Sequence, residues 1–458
     1  MRIIICGAGQ VGYGIAERLA AEHNDVAVID TAPALVQVVR DTLDARGYVG
    51  HGAHPDVLAE AGAEQADMLI AVTHFDEVNM VACQVAHSLF NVPTKIARVR
   101  SQAYLSPHWQ DLFSSEHMPI DVVISPEIEV GEMVLRRIAL PGASDVVRFA
   151  DGEIVLVGIE CREDCPVVDT PLSQLTELFP DLGATVVGIL RGGQLTIARS
   201  HDHILTGDIA YVVAARSQVK RTLGLFGHEE PEAGRIVIAG GGSIGLYVAR
   251  QMEQRSLRAK VRVIEPNRDR ANLIADRLKR AIVLNGSALD QTLLEEADIG
   301  STDLLVALTN DDQANILSSV MAKRLGCRSS LTLINNANYQ SFAHTLGIDA
   351  FVDPRSITIS RVLQHVRRGR IRAVHSIQNG AAEIIEAEAL ETSPLVGSAI
   401  RDLALPPTLR IGGIMRGGQY LRPDGTTRIR AKDRVVIFAA ASAVRQVEQM
   451  FRVSLEFF

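Results

Sequence analysis

The chain is written twice, and that duplication constrains the fold more than any other feature of the sequence. Residues 2–12 read RIIICGAGQVG and residues 235–245 read RIVIAGGGSIG, an offset of 233. VAVID, ending at Asp30, recurs as VRVIE, ending at Glu265. GYVGHGAHPD aligns with IVLNGSALD, which places Gly52 over Gly286. DMLIAVTHFDEVNM (67–80) returns as DLLVALTNDDQANI (303–316), with Asp67, Thr73, Asp76 and Asn79 over Asp303, Thr309, Asp312 and Asn315. Further on, VVGILRGGQL (186–195) matches IGGIMRGGQY (411–420), and Gly207-Asp208 falls over Lys432-Asp433 at an offset of 225. Ordered landmarks with a drifting offset mean one unit duplicated, with small insertions and deletions, into two halves of about 230 residues.

Within each half the texture changes once. The first part alternates short Val/Ile-rich runs (2–6, 26–30, 47–50, 68–73, 95–99, 121–124) with helix-period stretches (12–22, 34–45, 55–62, 76–90). Strands separated by helices indicate βαβ units and a parallel sheet, and the continuous apolar character of IIIC and MLIAV fits strands covered on both faces. PEIEVGEMVLRRIALPG then places Val130, Met133, Val134 and Ile138 on one helical stripe, and Pro141-Gly142 ends it. Residues 144–227 carry period-2 strands with Gly-rich turns. The fold class expected is therefore α/β: two tandem Rossmann-like, doubly wound parallel-sheet domains, each followed by a small α+β domain. The expected limits are 1–124 and 233–351 for the Rossmann-like domains and 144–228 and 371–456 for the small ones. Connecting helices at 127–140 and 354–370 carry apolar stripes in need of a partner, which makes them the expected assembly elements unless they pack within their own chain.

Charge and cysteine usage narrow the function classes. The 458 residues hold 46 Lys/Arg against 54 Asp/Glu, a net charge of −8, which argues against non-specific coating of nucleic acid. The charge is uneven: residues 1–227 hold 16 Lys/Arg and 29 Asp/Glu, the remainder 30 and 25, so an acidic half faces a basic one in composition. No apolar run approaches the 18 or so residues of a membrane span, and the start MRIIICGAG lacks a secretory signal pattern. Five cysteines (Cys6, Cys83, Cys161, Cys165, Cys327) are few and odd in number, as expected of reduced thiols in a soluble cytosolic protein.

GAGQVG supplies Gly7, Gly9 and Gly12 directly after a strand and at the start of a helix. In a G-x-G-x-x-G loop the first glycine permits the tight turn, the second lets backbone N–H groups approach a pyrophosphate, and the third allows close helix–strand packing. The helix N-terminus then presents N–H groups and partial positive charge to the phosphates. Asp30 ends the second strand, where a carboxylate accepts the ribose hydroxyls. The whole set recurs as Gly240, Gly242, Gly245 and Glu265. An acid at both ribose positions favours a free 2′-hydroxyl, as in NAD or ATP/ADP, over NADP.

Arg98 and Arg100 in KIARVR lie at the C-terminal end of an expected parallel strand, where ligands bind in open α/β sheets, and Arg98 is a candidate phosphate clamp. Leu333 and Asn335 stand at the matching places, so the second cleft lacks that clamp. No acid/base pair beside a nicotinamide is common to both halves, so no catalytic residue is expected. His201-Asp202-His203 has metal-ligand spacing, but its counterpart is Thr426-Thr427-Arg428 and no third ligand is near in sequence, so no metal is expected. Cys161 and Cys165 have no counterpart pair, and His51 and His54 flank Gly52 either as ligand contacts or as a polar loop. Nucleotide sites without accompanying chemistry point to a sensor; an NAD-dependent oxidoreductase with a duplicated Rossmann domain is the alternative.

GAGQVG, the strand-ending Asp30, the block GHGAHPDVLAEAGAEQADMLIAVTHFDEVNMVACQVAHSLFN (50–91) and IARVR together resemble the TrkA family of Trk potassium uptake systems, whose members consist of two RCK (regulator of potassium conductance) halves. The resemblance covers essentially the whole chain, the doubling included. It implies a non-enzymatic regulator, cytoplasmic and peripheral on the inner face of the cell membrane, bound to a Trk-type potassium-transporting membrane subunit. It further implies a homo-oligomer, a tetrameric ring, that binds NAD(H) or ATP/ADP in its Rossmann clefts and has no nucleic-acid partner. Carried over by position, the first nucleotide site comprises Gly7, Ala8, Gly9, Gln10, Val11, Asp30, Thr73, His74 and Arg98. The second comprises Gly240, Gly241, Gly242, Ser243, Ile244, Glu265, Thr309 and Asn310.

Overall fold

Ile3 and Ile5 turn to one face of a sheet, Ile4 and Cys6 to the other, and all four are buried. That two-residue alternation with no polar face is what a strand covered on both sides requires. The computed structural model describes residues 1–451 except 180–181, 256–257, 341, 344 and 367–370. The expected end of the last small domain (452–456) and of the second connecting helix (367–370) lie outside the described residues.

The first parallel sheet holds β1 (Arg2–Cys6), β2 (Asp25–Asp30), β3 (Arg46–Val49), β4 (Met68–Ala71), β5 (Thr94–Arg98) and β6 (Val122–Ile124), in the order β3-β2-β1-β4-β5-β6. The first small antiparallel sheet holds β7 (Ala143–Phe149), β8 (Ile154–Glu160), β9 (Ala184–Arg191), β10 (Gln194–Ile197) and β11 (Ile209–Ala215), in the order β10-β9-β11-β8-β7. The second parallel sheet repeats the first with β12 (Arg235–Ala239), β13 (Lys260–Glu265), β14 (Ile282–Asn285), β15 (Leu304–Ala307), β16 (Ser329–Leu333) and β17 (Ala350–Val352). Its order, β14-β13-β12-β15-β16-β17, reverses direction between β12 and β15 as the first does between β1 and β4. The last sheet holds β18 (Ile371–Ile377), β19 (Ala382–Glu388), β20 (Leu409–Arg416), β21 (Gln419–Leu421) and β22 (Arg434–Ala440).

The chain divides into two compact units, residues 1–129 with 354–366 and residues 130–353 with 367 onward. In the first unit, the helix Pro354–Val366 lies against the helix Gln10–Ala21 of the first parallel sheet: Ile359, Val362 and Leu363 share a core with Ile15 and Leu19. Each such aliphatic side chain contributes about 1.5–3 kcal/mol on burial. The apolar stripe of this connecting helix is therefore covered within the chain, by the half it does not belong to in sequence. In the second unit, the helix that begins at Pro126 brings Gly131 onto Tyr247 of the helix Ser243–Arg255, the reciprocal exchange.

The two small sheets of the second unit share a core in which Leu156, Tyr211 and Val213 meet Ile384, Val436 and Phe438. Each small domain also carries the same ion pair, Arg191 on Asp208 and Arg416 on Asp433, both at 2.7 Å with the carboxylate buried. Among the described residues, no helix is long and apolar enough to cross a membrane.

Candidate functional site

The first cleft opens where β1 ends. Gly7 has φ +110°, and a Cβ there would stand 3.1 Å from the backbone nitrogen of Thr73 at the end of β4. Gly12 is held tighter still, since a Cβ would lie 1.8 Å from the carbonyl oxygen of Gly7. Gly9 faces open space, with nothing within 4 Å of its missing Cβ, and caps the helix beginning at Gln10 without a side chain. The second loop repeats each feature. Gly240 has φ +106°, a Cβ on Gly245 would lie 2.0 Å from the Gly240 oxygen, and Gly242 again faces open space.

The strand-ending acids are tied to these loops. Asp30 accepts the Ala8 N–H on Oδ2 at 2.7 Å and the Ala32 N–H on Oδ1 at 2.8 Å. Glu265 accepts the Gly241 N–H on Oε2 and the Asn267 N–H on Oε1, both at 2.9 Å. A Cβ on Gly241, where the first copy has Ala8, would lie 2.2 Å from Ile274 Cδ1 and 3.0 Å from Glu265 Oε2, so Ile274 and the longer acid together take the room that Ala8 fills. The second acid is buried, whereas Asp30 is half-buried. Arg270 closes the second loop further by donating from Nε to the Gly241 carbonyl at 2.9 Å.

Across each cleft mouth stands a buried asparagine that the sequence reading aligned but gave no role. Asn79 Oδ1 accepts the N–H and hydroxyl of Thr73 at 2.8 and 2.7 Å, while its Nδ2 donates to the Thr73 and Arg98 carbonyls. Asn315 does the same for Thr309 and Leu333. Asp76 accepts the N–H groups of Arg100 and Ser101, and Asp312 those of Asn335 and Asn336. These four residues fix the C-terminal ends of β4, β5, β15 and β16, the edge where ligands enter an open α/β sheet. Recurrence at one offset, 236, was the available signal.

Gln10, His74, Ser243 and Asn310 are exposed; Val11, Thr73, Ile244 and Thr309 are half-buried. Arg98 Nη2 donates to the Thr73 carbonyl at 2.6 Å, and its Nε is buried without a partner. Burial, then the neighbouring Arg100 guanidinium, draws Arg98 below the ordinary arginine range. Arg100 itself turns to Glu127 at 2.9 Å. His51 and His54 stack on each other with centroids 4.6 Å apart. All five cysteines are free and buried, and burial pushes the Cys6 thiol up to about 12.

One alignment expectation is corrected. Gly286 corresponds to Gly50, not Gly52. Gly50 and Gly286 donate their N–H groups to the carbonyls of Asp30 and Glu265, and a Cβ on either would strike Val57 or its counterpart Leu293 at 2.7–2.8 Å. Gly52 instead falls over Ala288 and lies against Cys6.

The TrkA-N domain family matches residues 3–126 and 236–354, and the TrkA-C domain family matches residues 156–227 and 384–452. The chain is 62% identical, over all of both chains, to the Trk system potassium uptake protein TrkA of Azorhizobium caulinodans. It is 43% identical, again over the whole of both chains, to the protein of that name from Halomonas elongata. Among solved structures, the GsuK channel bound to NAD aligns with 98% of this chain and 78% of its own at a TM-score of 0.60 and 17% identity, a likeness of fold. With both domain families present twice in tandem and full-length relatives at these identities, the chain belongs to the TrkA family.

Proposed function

We propose that this chain is a nucleotide-sensing, non-enzymatic regulatory subunit of a potassium uptake system. It works in the cytoplasm, peripheral on the inner face of the cell membrane, as a homo-oligomeric ring of four chains bound to a Trk-type membrane subunit that carries the ion. The observation that carries this reading is the recurrence of one construction, a strand-ending acid bonded to its own glycine loop, in both halves of a chain whose full-length relatives are potassium uptake proteins.

The residues fit an adenine nucleotide, NAD(H) or ATP/ADP. Gly9 and Gly242 leave open space at a helix start, so the backbone of Gly7–Gly12 and Gly240–Gly245 would receive phosphates where helix N–H groups converge. Asp30 and Glu265 would take the ribose on the lone pairs their loop contacts leave over. Thr73, His74, Thr309 and Asn310 stand at the cleft mouths, and each cleft has an arginine in a different place, Arg98 at the strand end of the first and Arg270 on the glycine loop of the second. The two clefts therefore differ in their preference for phosphate.

The energy required is modest. Moving a two-state ring from 1:99 to 99:1 takes about 5.5 kcal/mol of differential affinity. Shared over four equivalent clefts that is roughly 1.4 kcal/mol each, a tenfold preference per site. Interactions at a charged group such as Arg98 reach that size. Co-purification with a potassium-transporting membrane protein, with and without ATP and NADH, tests the reading. A nucleotide-dependent complex without absorbance change at 340 nm supports it; nicotinamide turnover, or no complex under any condition, overturns it.

A further inference from the structure

The two connecting helices sit on seats that are equivalent by duplication yet opposite in shape and charge. In the first unit, Gly14 on the sheet's helix receives Ile359: a Cβ on Gly14 would stand 2.5 Å from Ile359 Cδ1. In the second, the glycine is on the connecting helix instead. A Cβ on Gly131 would stand 2.4 Å from Tyr247 Cδ1. Gly14 corresponds to Tyr247 at the offset of 233, and Gly131 to Ile359 at the offset of 228 between the connecting helices. Knob and hole have changed sides.

The polar groups beside these contacts differ in the same sense. In the second seat Glu132 Oε1 accepts from the Tyr247 hydroxyl and from Arg255, each at 2.7 Å. The corresponding positions in the first seat are Ser360, buried, in place of Glu132, and Glu22 in place of Arg255. Docking the helix 126–138 on the first sheet would set Gly131 against Gly14, leaving a void, and Glu132 near a second carboxylate, Glu22. Docking the helix 354–366 on the second sheet would drive Ile359 into Tyr247 and leave Arg255 without its acid. Voids, overpacking and unpaired charge each disfavour a wrong pairing.

The geometry points to a pairing code: each seat accepts only the connecting helix of the other half, so a first half never pairs with a first half, nor a second with a second. The partner of the Gly14 face is the Ile359–Ser360 face, and the partner of the Tyr247–Arg255 face is the Gly131–Glu132 face. With two nearly equivalent halves in every subunit, this discrimination keeps neighbouring chains from cross-linking through like halves during assembly.

Native mass spectrometry of three full-length chains tests the code. One is the unaltered chain. The second carries Gly14→Tyr, Glu22→Arg, Ile359→Gly and Ser360→Glu, which makes both seats alike. The third exchanges the two seats completely, adding Tyr247→Gly, Arg255→Glu, Gly131→Ile and Glu132→Ser. The unaltered and fully exchanged chains are expected to give one and the same assembly mass, and the chain with like seats a mixture with additional, larger masses. A single unaltered mass from the chain with like seats overturns the code, and so does failure of the fully exchanged chain to assemble.

Discussion

Asp30 Oδ2 holds the backbone N–H of Ala8 at 2.7 Å, so the acid that ends β2 is part of the glycine loop that follows β1. The second copy makes the same bond with a longer acid and a smaller loop residue, Glu265 on Gly241. Acid length and loop residue have changed together, which keeps the carboxylate at the same backbone group in both halves. The carboxylates are thus pre-set at the sheet edge by two backbone donors each.

The first prediction concerns that acid. Asp30→Ala is expected to weaken ATP and NADH binding to the first cleft at least tenfold by calorimetry, about 1.4 kcal/mol. The corresponding Glu265→Ala acts on the second cleft, leaving the first transition of the titration in place. Affinities unchanged in both variants would show that the nucleotides bind elsewhere.

A second prediction concerns the buried clamp at each mouth. Asn79→Ala strips hydrogen bonds from Thr73 and from the Arg98 carbonyl and empties a site where the asparagine is fully buried. Each such hydrogen bond contributes about 0.5–1.5 kcal/mol. Thermal denaturation should therefore start several degrees lower for Asn79→Ala and for Asn315→Ala, with nucleotide protection reduced in the altered half. An unchanged midpoint would mean that the asparagines are not what fixes the strand ends.

These asparagines also mark where sequence reading stops. The doubling, the βαβ units with their parallel sheets, the two glycine loops and the paired acids were legible because each leaves a local, periodic or repeated mark. Asn79 was visible as a repeated letter, but its role depends on β5 lying beside β4, which no local pattern states. The Gly52 match failed for a related reason: HGAHPD looks like NGSALD as text, whereas the backbone bond from Gly50 to Asp30 sets the true register. The exchange of connecting helices was the largest gap. An apolar stripe announces that a partner exists and leaves its identity to packing, here Gly14 against Ile359.

The co-adjustment of acid and loop residue yields a third prediction. Gly241→Ala places a methyl 3.0 Å from Glu265 Oε2 and against Ile274, so it should abolish the nucleotide-induced melting shift of the second cleft. Shortening both neighbours in the same chain, Gly241→Ala with Glu265→Asp and Ile274→Val, should recover part of that shift, because Ala8, Asp30 and Val39 are the combination the first cleft uses. Equal loss in both variants would refute the steric account.

The fourth prediction is a pH dependence at Glu132. Burial pushes its carboxyl up, but the Tyr247 hydroxyl and the Arg255 guanidinium outweigh that and hold it below its ordinary value of 4.5. A carboxyl lowered in the folded state contributes stability that is complete above its unfolded value and lost as pH falls through the folded one. The melting midpoint should therefore fall on acidification below that ordinary value of 4.5, and Glu132→Gln should make that decline shallower. An identical acid slope in the two chains would place the sensitivity at other groups.

The central claim is that occupancy of the two clefts controls an ion pathway, and potassium flux into proteoliposomes holding the membrane subunit and this chain tests it most directly. Flux should change when ATP, ADP, NAD and NADH are exchanged for one another, and a chain carrying both Asp30→Ala and Glu265→Ala should no longer respond. Equal flux with every nucleotide, or an undiminished response from the doubly altered chain, would contradict the account.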